Sequence, residues 1–206
     1  MVLKEYKVSI VMAVYNVEQF LCEAVDSLIS QDIGFENLQL ILVDDGSSDR
    51  SGQICDEYSA RYPDNVLTIH KPNGGVASAR NEGLRYACGK YLNFMDSDDI
   101  LLPNAFREML AFFEQHKEET DIVTIPLQFF DAASGEHWQN SKFAYGSRII
   151  DLNEEPETTL MFVTASIFAA RVKERIVFDP TLPCGEDIKV IYSILKDKQT
   201  IGVVDK

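Results

Sequence analysis

The sequence predicts an α/β fold in which a mostly parallel central sheet is flanked by helices. Three observations carry this expectation. Apolar runs of strand length alternate with stretches of helical periodicity, the connections between them are short, and acidic residues collect just beyond two of the apolar runs. In parallel sheets ligands bind outside the carboxyl ends of the strands. The features that predict the fold therefore also predict the rim at which a site is built.

The first strand is Val8-Ser9-Ile10-Val11-Met12-Ala13-Val14, apolar on both faces as a buried parallel strand must be. It runs through Tyr15-Asn16 into a helix whose stripe is Val17, Phe20, Leu21, Ala24, Val25, Leu28 and Ile29, with Asn16 and Gln19 spaced as a capping box and Gly34 as the stop. Leu38–Val43 is the second strand, and Asp44-Asp45-Gly46-Ser47-Ser48-Asp49 the turn after it, where Ser48 or Asp49 can cap the next helix. That helix carries Ile54, Cys55, Tyr58 and Tyr62 and ends at Pro63-Asp64-Asn65. Val66–Ile69 is the third strand, and Lys71-Pro72-Asn73-Gly74-Gly75 reads as a loop.

A short helix over Ala77–Ala87 follows, with Gly89 in the closing position, then the fourth strand Tyr91–Met95. Pro103 opens a helix bearing Phe106, Met109, Leu110 and Phe113. Beyond Ile122–Pro126 the pattern loosens, and residues 131–160, with Trp138, Tyr145 and Asn153-Glu154-Glu155, read as an irregular insertion or flap. Thr164–Val172 and Ile176–Phe178 are apolar again. Gly185-Glu186-Asp187 then opens a last helix over Ile188–Leu195, and Ile201–Val204 is strand-like.

Composition narrows the function classes. The 206 residues suffice for one domain, and 46 % hydrophobic with 25 % charged residues is ordinary for a soluble chain. A formal charge of −14 argues against nucleic acid as the main partner and gives no polybasic patch for a membrane. No apolar run reaches the length of a span, and MVLKEYKVSI lacks a signal-peptide core, so a cytoplasmic location is the default expectation. Cys22, Cys55, Cys88 and Cys184 form no CxxC pair and are expected to be reduced and packed, and the scattered His70, His116 and His137 form no metal or triad pattern.

The densest chemistry lies in Phe94-Met95-Asp96-Ser97-Asp98-Asp99, an apolar strand ending in three carboxylates within four residues. Like charges at one strand end repel, so a compensating cation is expected. Alternation along extended backbone puts Asp96 and Asp98 on one side, where they suit a hard divalent ion, Mg²⁺ or Mn²⁺, that also takes phosphate oxygens. The other reading is a solvated acidic turn capping the helix after Pro103.

VSIVMAVYN, LVDDGSSD, NGGVASARNEG, FMDSDD and GED, in this order, together resemble family 2 glycosyltransferases of the GT-A fold, a Rossmann-like architecture that binds nucleoside-diphosphate sugars. The resemblance runs from residue 7 to about 190. A dinucleotide-binding domain is disfavoured because no GxGxxG follows the first strand, and a nucleotidyltransferase because Tyr15-Asn16-Val17-Glu18 stands where a glycine-rich phosphate loop would.

The resemblance implies an inverting transfer from a UDP- or dTDP-sugar to a saccharide or lipid-linked saccharide, of the bacterial polysaccharide-synthesis type. A non-catalytic nucleotide-sugar-binding module, or an inactive fragment of such an enzyme, is the alternative. It places Ala13, Val14 and Tyr15 against the nucleoside, with Tyr15 able to stack on the base or to serve as a core aromatic. Asp45 would accept from a base N–H, and Arg80 would contact the base edge or diphosphate. Asp98 would hold the metal, and Asp96 the ribose or the metal through water. Asp187 would be the catalytic base and Glu186 would position the acceptor; both are equally the first-turn acids a helix dipole favours. It further implies one GT-A domain over 1–206, with a nucleotide-sugar-binding half at 1–100 and an acceptor-binding half at 101–206. Family members usually continue past the last strand, so the expectation is of a domain truncated at its C-terminal end. Peripheral contact with the inner face of the membrane and a homo-oligomer both stay open.

Overall fold

The structure, a computed structural model, describes residues 4–128, 138–159, 163–182 and 184–205. Its strands are β1 (Val8–Val14), β2 (Leu38–Asp44), β3 (Val66–His70), β4 (Tyr91–Asp96), β5 (Ile122–Thr124), β6 (Arg148–Asp151), β7 (Ser166–Ala169) and β8 (Thr200–Val203). The helices are α1 (Leu21–Ile29), α2 (Ser51–Arg61), α3 (Val76–Leu84), α4 (Ala105–His116) and α5 (Glu186–Ile194). All eight strands join one sheet in the order β3-β2-β1-β4-β7-β5-β8-β6. β3, β2, β1 and β4 are parallel throughout. From there the sheet is mixed: β7 runs antiparallel to both β4 and β5, β8 is parallel to β5, and β6 is antiparallel to β8.

Strand alternation divides the core into two layers. Val8, Ile10, Met12 and Val14 of β1 join Leu38, Leu40 and Leu42 of β2 on one face, where α1, α2 and α4 press Leu21, Leu28, Ile54, Phe106, Met109 and Phe113 against them. Val11, Ile41, Val43, Leu92 and Phe94 point to the other face, covered by α3 and by Val190, Ile191 and Ile194 of α5. Each of these side chains stabilises the fold by roughly 1.5–3 kcal/mol relative to leaving it in water. The expected parallel α/β architecture is thus present, with helices on both faces.

Several local expectations are corrected. Asn16 and Gln19 form no capping box: α1 starts at Leu21 with no side-chain cap. Asn16 instead adopts φ 52° and accepts from the Ser48 amide at 2.8 Å, tying the β1–α1 loop to the β2–α2 turn. Neither Ser48 nor Asp49 holds the N-cap position of α2, which is Arg50, but Asp49, one residue earlier, accepts from the Ser51 amide at 2.9 Å. Gly89 does not close α3, which ends at Leu84. A Cβ on Gly89 would fall 2.5 Å from the Ser9 backbone nitrogen, so glycine here permits the chain to pass close to β1.

The region read as an irregular flap contains β6 at the sheet edge, while residues 129–137 within it lie outside the described residues. The side chain of Trp138 is likewise undescribed, whereas Tyr145 is largely exposed. Of the four free thiols only Cys55 is packed; Cys22, Cys88 and Cys184 are exposed. Among the described residues no helix is long and apolar enough to cross a membrane.

Candidate active site

Register aligns the ends of the parallel strands. Val14 pairs with Asp44, Ala13 with Asp96, and Asp44 with His70, so the residues following β1, β2, β3 and β4 emerge at one rim. The Asp45 amide donates to the Val14 carbonyl at 2.9 Å, carrying that alignment one residue past the strands. Tyr15 lies at this rim half exposed, which removes it from the core.

Asp45 is buried and its carboxylate is already engaged. It accepts from the Gly75 amide at 2.7 Å and the Gly74 amide at 3.1 Å, and it pairs with the Lys71 ammonium. Gly75 has φ 82°, a conformation glycine adopts without strain, and this aims its N–H at the carboxylate. Neighbouring Asp44 has a different part. It accepts from the Ser47 amide at 2.9 Å and from His70 Nδ1 at 2.8 Å. Burial alone would raise its carboxyl, but these bonds outweigh burial and hold it below the usual carboxylate range. Asp44, the last residue of β2, thus closes the turn after the strand through Ser47.

The expectation that Asp96 and Asp98 share a side by strand alternation does not hold, because β4 ends at Asp96 and the Asp99 amide turns back to the Asp96 carbonyl at 3.2 Å. Asp98 is exposed at the tip of this turn. Asp99 points inward, and its carboxyl is raised first by burial and then by the charges of Asp96 and Asp98, against the lowering effect of the Thr164 hydroxyl 2.8 Å away.

Arg80 joins the parts of the site that are far apart in sequence. It is buried on α3, donates from Nη2 to Asp96 at 2.6 Å and from Nη1 to Glu186 at 2.9 Å, and lies over the Phe178 ring at 5.3 Å. Its Nε is buried with no protein partner. The compensating cation expected for the acidic cluster is thus, at Asp96, this guanidinium. Asp187, next to Glu186 in the first turn of α5, has its carboxyl raised chiefly by burial and then by the Glu186 charge, opposed by the Ile188 amide and by Arg80. A carboxylate lifted in this way is a better proton acceptor than an ordinary solvated one.

Among the described residues no cluster of three or more potential metal-binding side chains is assembled. The oxygen donors of Asp96 and Asp98 nonetheless fit a Mg²⁺ or Mn²⁺ ion, because such ions keep several waters and are held by one or two carboxylates plus substrate phosphates.

Sequence reasoning missed two members of this rim. Lys71 was readable only as loop, although its position directly after β3 is a carboxyl-end position. Thr164 precedes β7, which is antiparallel to β4, and no local signal marks it.

A model of glycosyl transferase family 2 matches residues 9–174. The chain belongs to this family. Relatives include the minor teichoic acid biosynthesis protein GgaB of Bacillus subtilis, 45 % identical over 199 residues that cover 97 % of this chain and 22 % of that protein. Another is the poly(ribitol-phosphate) beta-glucosyltransferase of Bacillus spizizenii, 36 % identical over 94 % of this chain and 30 % of that protein. The structure of S. aureus TarS 1–349 superposes with a TM-score of 0.83 at 25 % identity, covering 97 % of this chain and 58 % of that one. TarS structures in complex with UDP and with UDP-GlcNAc superpose equally well, each with a TM-score of 0.83. The domain therefore has the GT-A fold. It spans well under two thirds of the length of these relatives.

Proposed function

We propose that the domain moves a sugar from a UDP- or dTDP-linked donor to a saccharide or lipid-linked saccharide acceptor, with inversion, in the synthesis of a cell-surface polymer of the teichoic acid kind. The observation that carries this reading is Arg80, which ties Asp96, at the end of the donor-side strand, to Glu186, beside Asp187. The names of the relatives and the UDP complexes of TarS support the substrate class.

Each residue then has a role its surroundings allow. Ala13 lines the nucleoside and Tyr15 stacks on the base, whereas the Val14 side chain, expected beside them, is fully buried in the core and offers no lining. The three donors on Asp45 leave acceptor capacity for one base N–H, since a carboxylate offers about four acceptor positions. The unpartnered Arg80 Nε is available to a ribose or diphosphate oxygen. Asp98, with Asp96, would hold the Mn²⁺ or Mg²⁺ ion, whose charge offsets that of the departing nucleoside diphosphate.

Asp187 takes the proton of the acceptor hydroxyl as that oxygen bonds to the anomeric carbon. The bond from that carbon to the phosphate oxygen breaks on the opposite side, and its electron pair leaves with the diphosphate. One displacement inverts the centre. Titration calorimetry with UDP tests the donor half of this reading: binding is expected with Mn²⁺ and at least tenfold weaker without it. Equal, negligible heats in both conditions would refute it.

A further inference from the structure

The segment that carries Asp187 is anchored by one residue that has no place in the chemistry. Asn81, half-buried on α3, donates from its side-chain nitrogen to the Phe178 carbonyl at 2.6 Å and accepts from the Phe178 amide at 2.9 Å. This pair of bonds satisfies both backbone polar groups of a residue that lies in no strand or helix, as a neighbouring strand would. Phe178 is fully buried, its ring packed against Phe94 of β4 at 4.8 Å and beneath Arg80. The next residue, Asp179, accepts from Lys189 at 2.6 Å in the second turn of α5, and Arg80 holds Glu186 in the first. Two adjacent residues of α3 therefore grip both ends of the 178–187 segment.

We propose that Asn81 is a positioning residue: by clamping the Phe178 backbone it sets where α5 begins, and so where Asp187 stands relative to the donor. The inference rests on Asp187 being the base. Among the described residues both side-chain hydrogen bonds of Asn81 go to Phe178 and none to Asp45, Asp96 or Asp98, so the clamp acts on the base-bearing segment and not on the nucleotide rim. The partial burial that raises the Asp187 carboxyl depends on the same docking.

The test compares wild type with Asn81→Ala and with Asn81→Asp, which keeps the acceptor for the Phe178 amide and loses the donor to its carbonyl. Amide hydrogen exchange at 178 and at 184–188 is expected to rise at least tenfold in Asn81→Ala and by less in Asn81→Asp. The Kd for UDP with Mn²⁺ should stay within twofold, which also verifies folding of the rim. The rate of UDP release from UDP-GlcNAc should fall about tenfold or more in kcat with KM little changed. Unchanged exchange over 184–188 would overturn the clamp. So would full kcat in a variant whose exchange has risen, or UDP affinity falling in step with kcat. Failure of the base itself reads out separately, as Asp187→Asn retaining wild-type release while Asn81→Ala still loosens the segment.

Discussion

Residues 4–100 and 101–205 share one sheet but contribute to the site in different ways. The first stretch supplies four strands that run in the same direction, so each loop after a strand arrives at the same rim. The second stretch supplies strands of both directions. It reaches the rim through Thr164, two residues before β7, and through the start of a helix, Glu186 and Asp187. A parallel sheet delivers site residues by topology alone. A mixed sheet has to hold them there with specific contacts, here Arg80, Asn81 and Lys189.

The largest effect expected from this contrast is a separation of binding from transfer. Asp187→Asn should lower transfer by about 10²–10⁴-fold, the range typical of a general base, while leaving UDP affinity unchanged. Asp98→Asn should weaken UDP binding in Mn²⁺ at least tenfold. Transfer assays beside calorimetry would check both. An Asp187→Asn protein with wild-type transfer would remove the base and favour a non-catalytic nucleotide-sugar-binding module. A loss of UDP affinity in Asp187→Asn would show that the two stretches are not separable in this way.

The same contrast explains what could be read from sequence. The strands β1 to β4 and the rim positions Tyr15, Asp45 and Asp96 were legible because parallel, doubly buried strands are uniform apolar runs and their carboxyl ends are marked by turn residues. β6 was not, since four residues at a sheet edge with one buried side chain, Ile150, carry no periodic signal. Asp98 was misplaced in direction because alternation was extended two residues beyond the end of the strand, at Asp96. Lys71 and Thr164 owe their places to pairings across 26 and 65 residues, with Asp45 and with Asp99, which a local reading cannot see. The Arg80 bridge was half legible: the motif marked the residue, but its engagement with Glu186 is a tertiary fact.

Packing gives a second, smaller comparison. A Cβ on Gly83 of α3 would meet Val11 Cγ1 at 2.4 Å and Val43 Cγ2 at 3.0 Å, both stiff side chains of the parallel strands. Gly83→Ala should destabilise by about 1–2 kcal/mol, overpacking of roughly 1–3 kcal/mol less the better helix propensity of alanine. A Cβ on Gly202 of β8 would meet the Phe112 ring at 2.7 Å and the fully buried Val123 Cγ2 at 2.9 Å; Phe112 is only partly buried and can tilt toward solvent, so one stiff neighbour resists here where two do at Gly83. Gly202→Ala should therefore destabilise by less than Gly83→Ala, by about 1 kcal/mol. Urea unfolding midpoints of the two variants would check the order. The reverse order would mean that the mixed part of the sheet is the more tightly packed one.

The smallest effect is a pH dependence confined to the first stretch. His70, at the end of β3, faces Asp44 through Nδ1 at 2.8 Å and Asp56 through Nε2 at 2.9 Å. Two carboxylate neighbours call for a proton on each ring nitrogen. Hydrogen bonds to Asp44 first and Asp56 second accordingly raise the imidazole, against a smaller opposing effect of burial. A raised folded-state value means that the contribution is fully present below the unfolded value of about 6.5 and is lost as pH rises through the folded one. With 48 % of the side chain exposed, solvent screening limits it to under about 1 kcal/mol. The analogous ion pair of the second stretch, Arg148 to Glu155 at 2.7 and 2.8 Å, raises the Arg and lowers the Glu, so both stay charged across this window. The stability gap between wild type and His70→Gln, followed by urea unfolding from about pH 5.5 to 8.5, should therefore shrink as pH rises, whereas the gap for Arg148→Gln should stay constant. A His70→Gln gap that does not change with pH would assign the residue a packing role and leave the β3 end without a charge clamp.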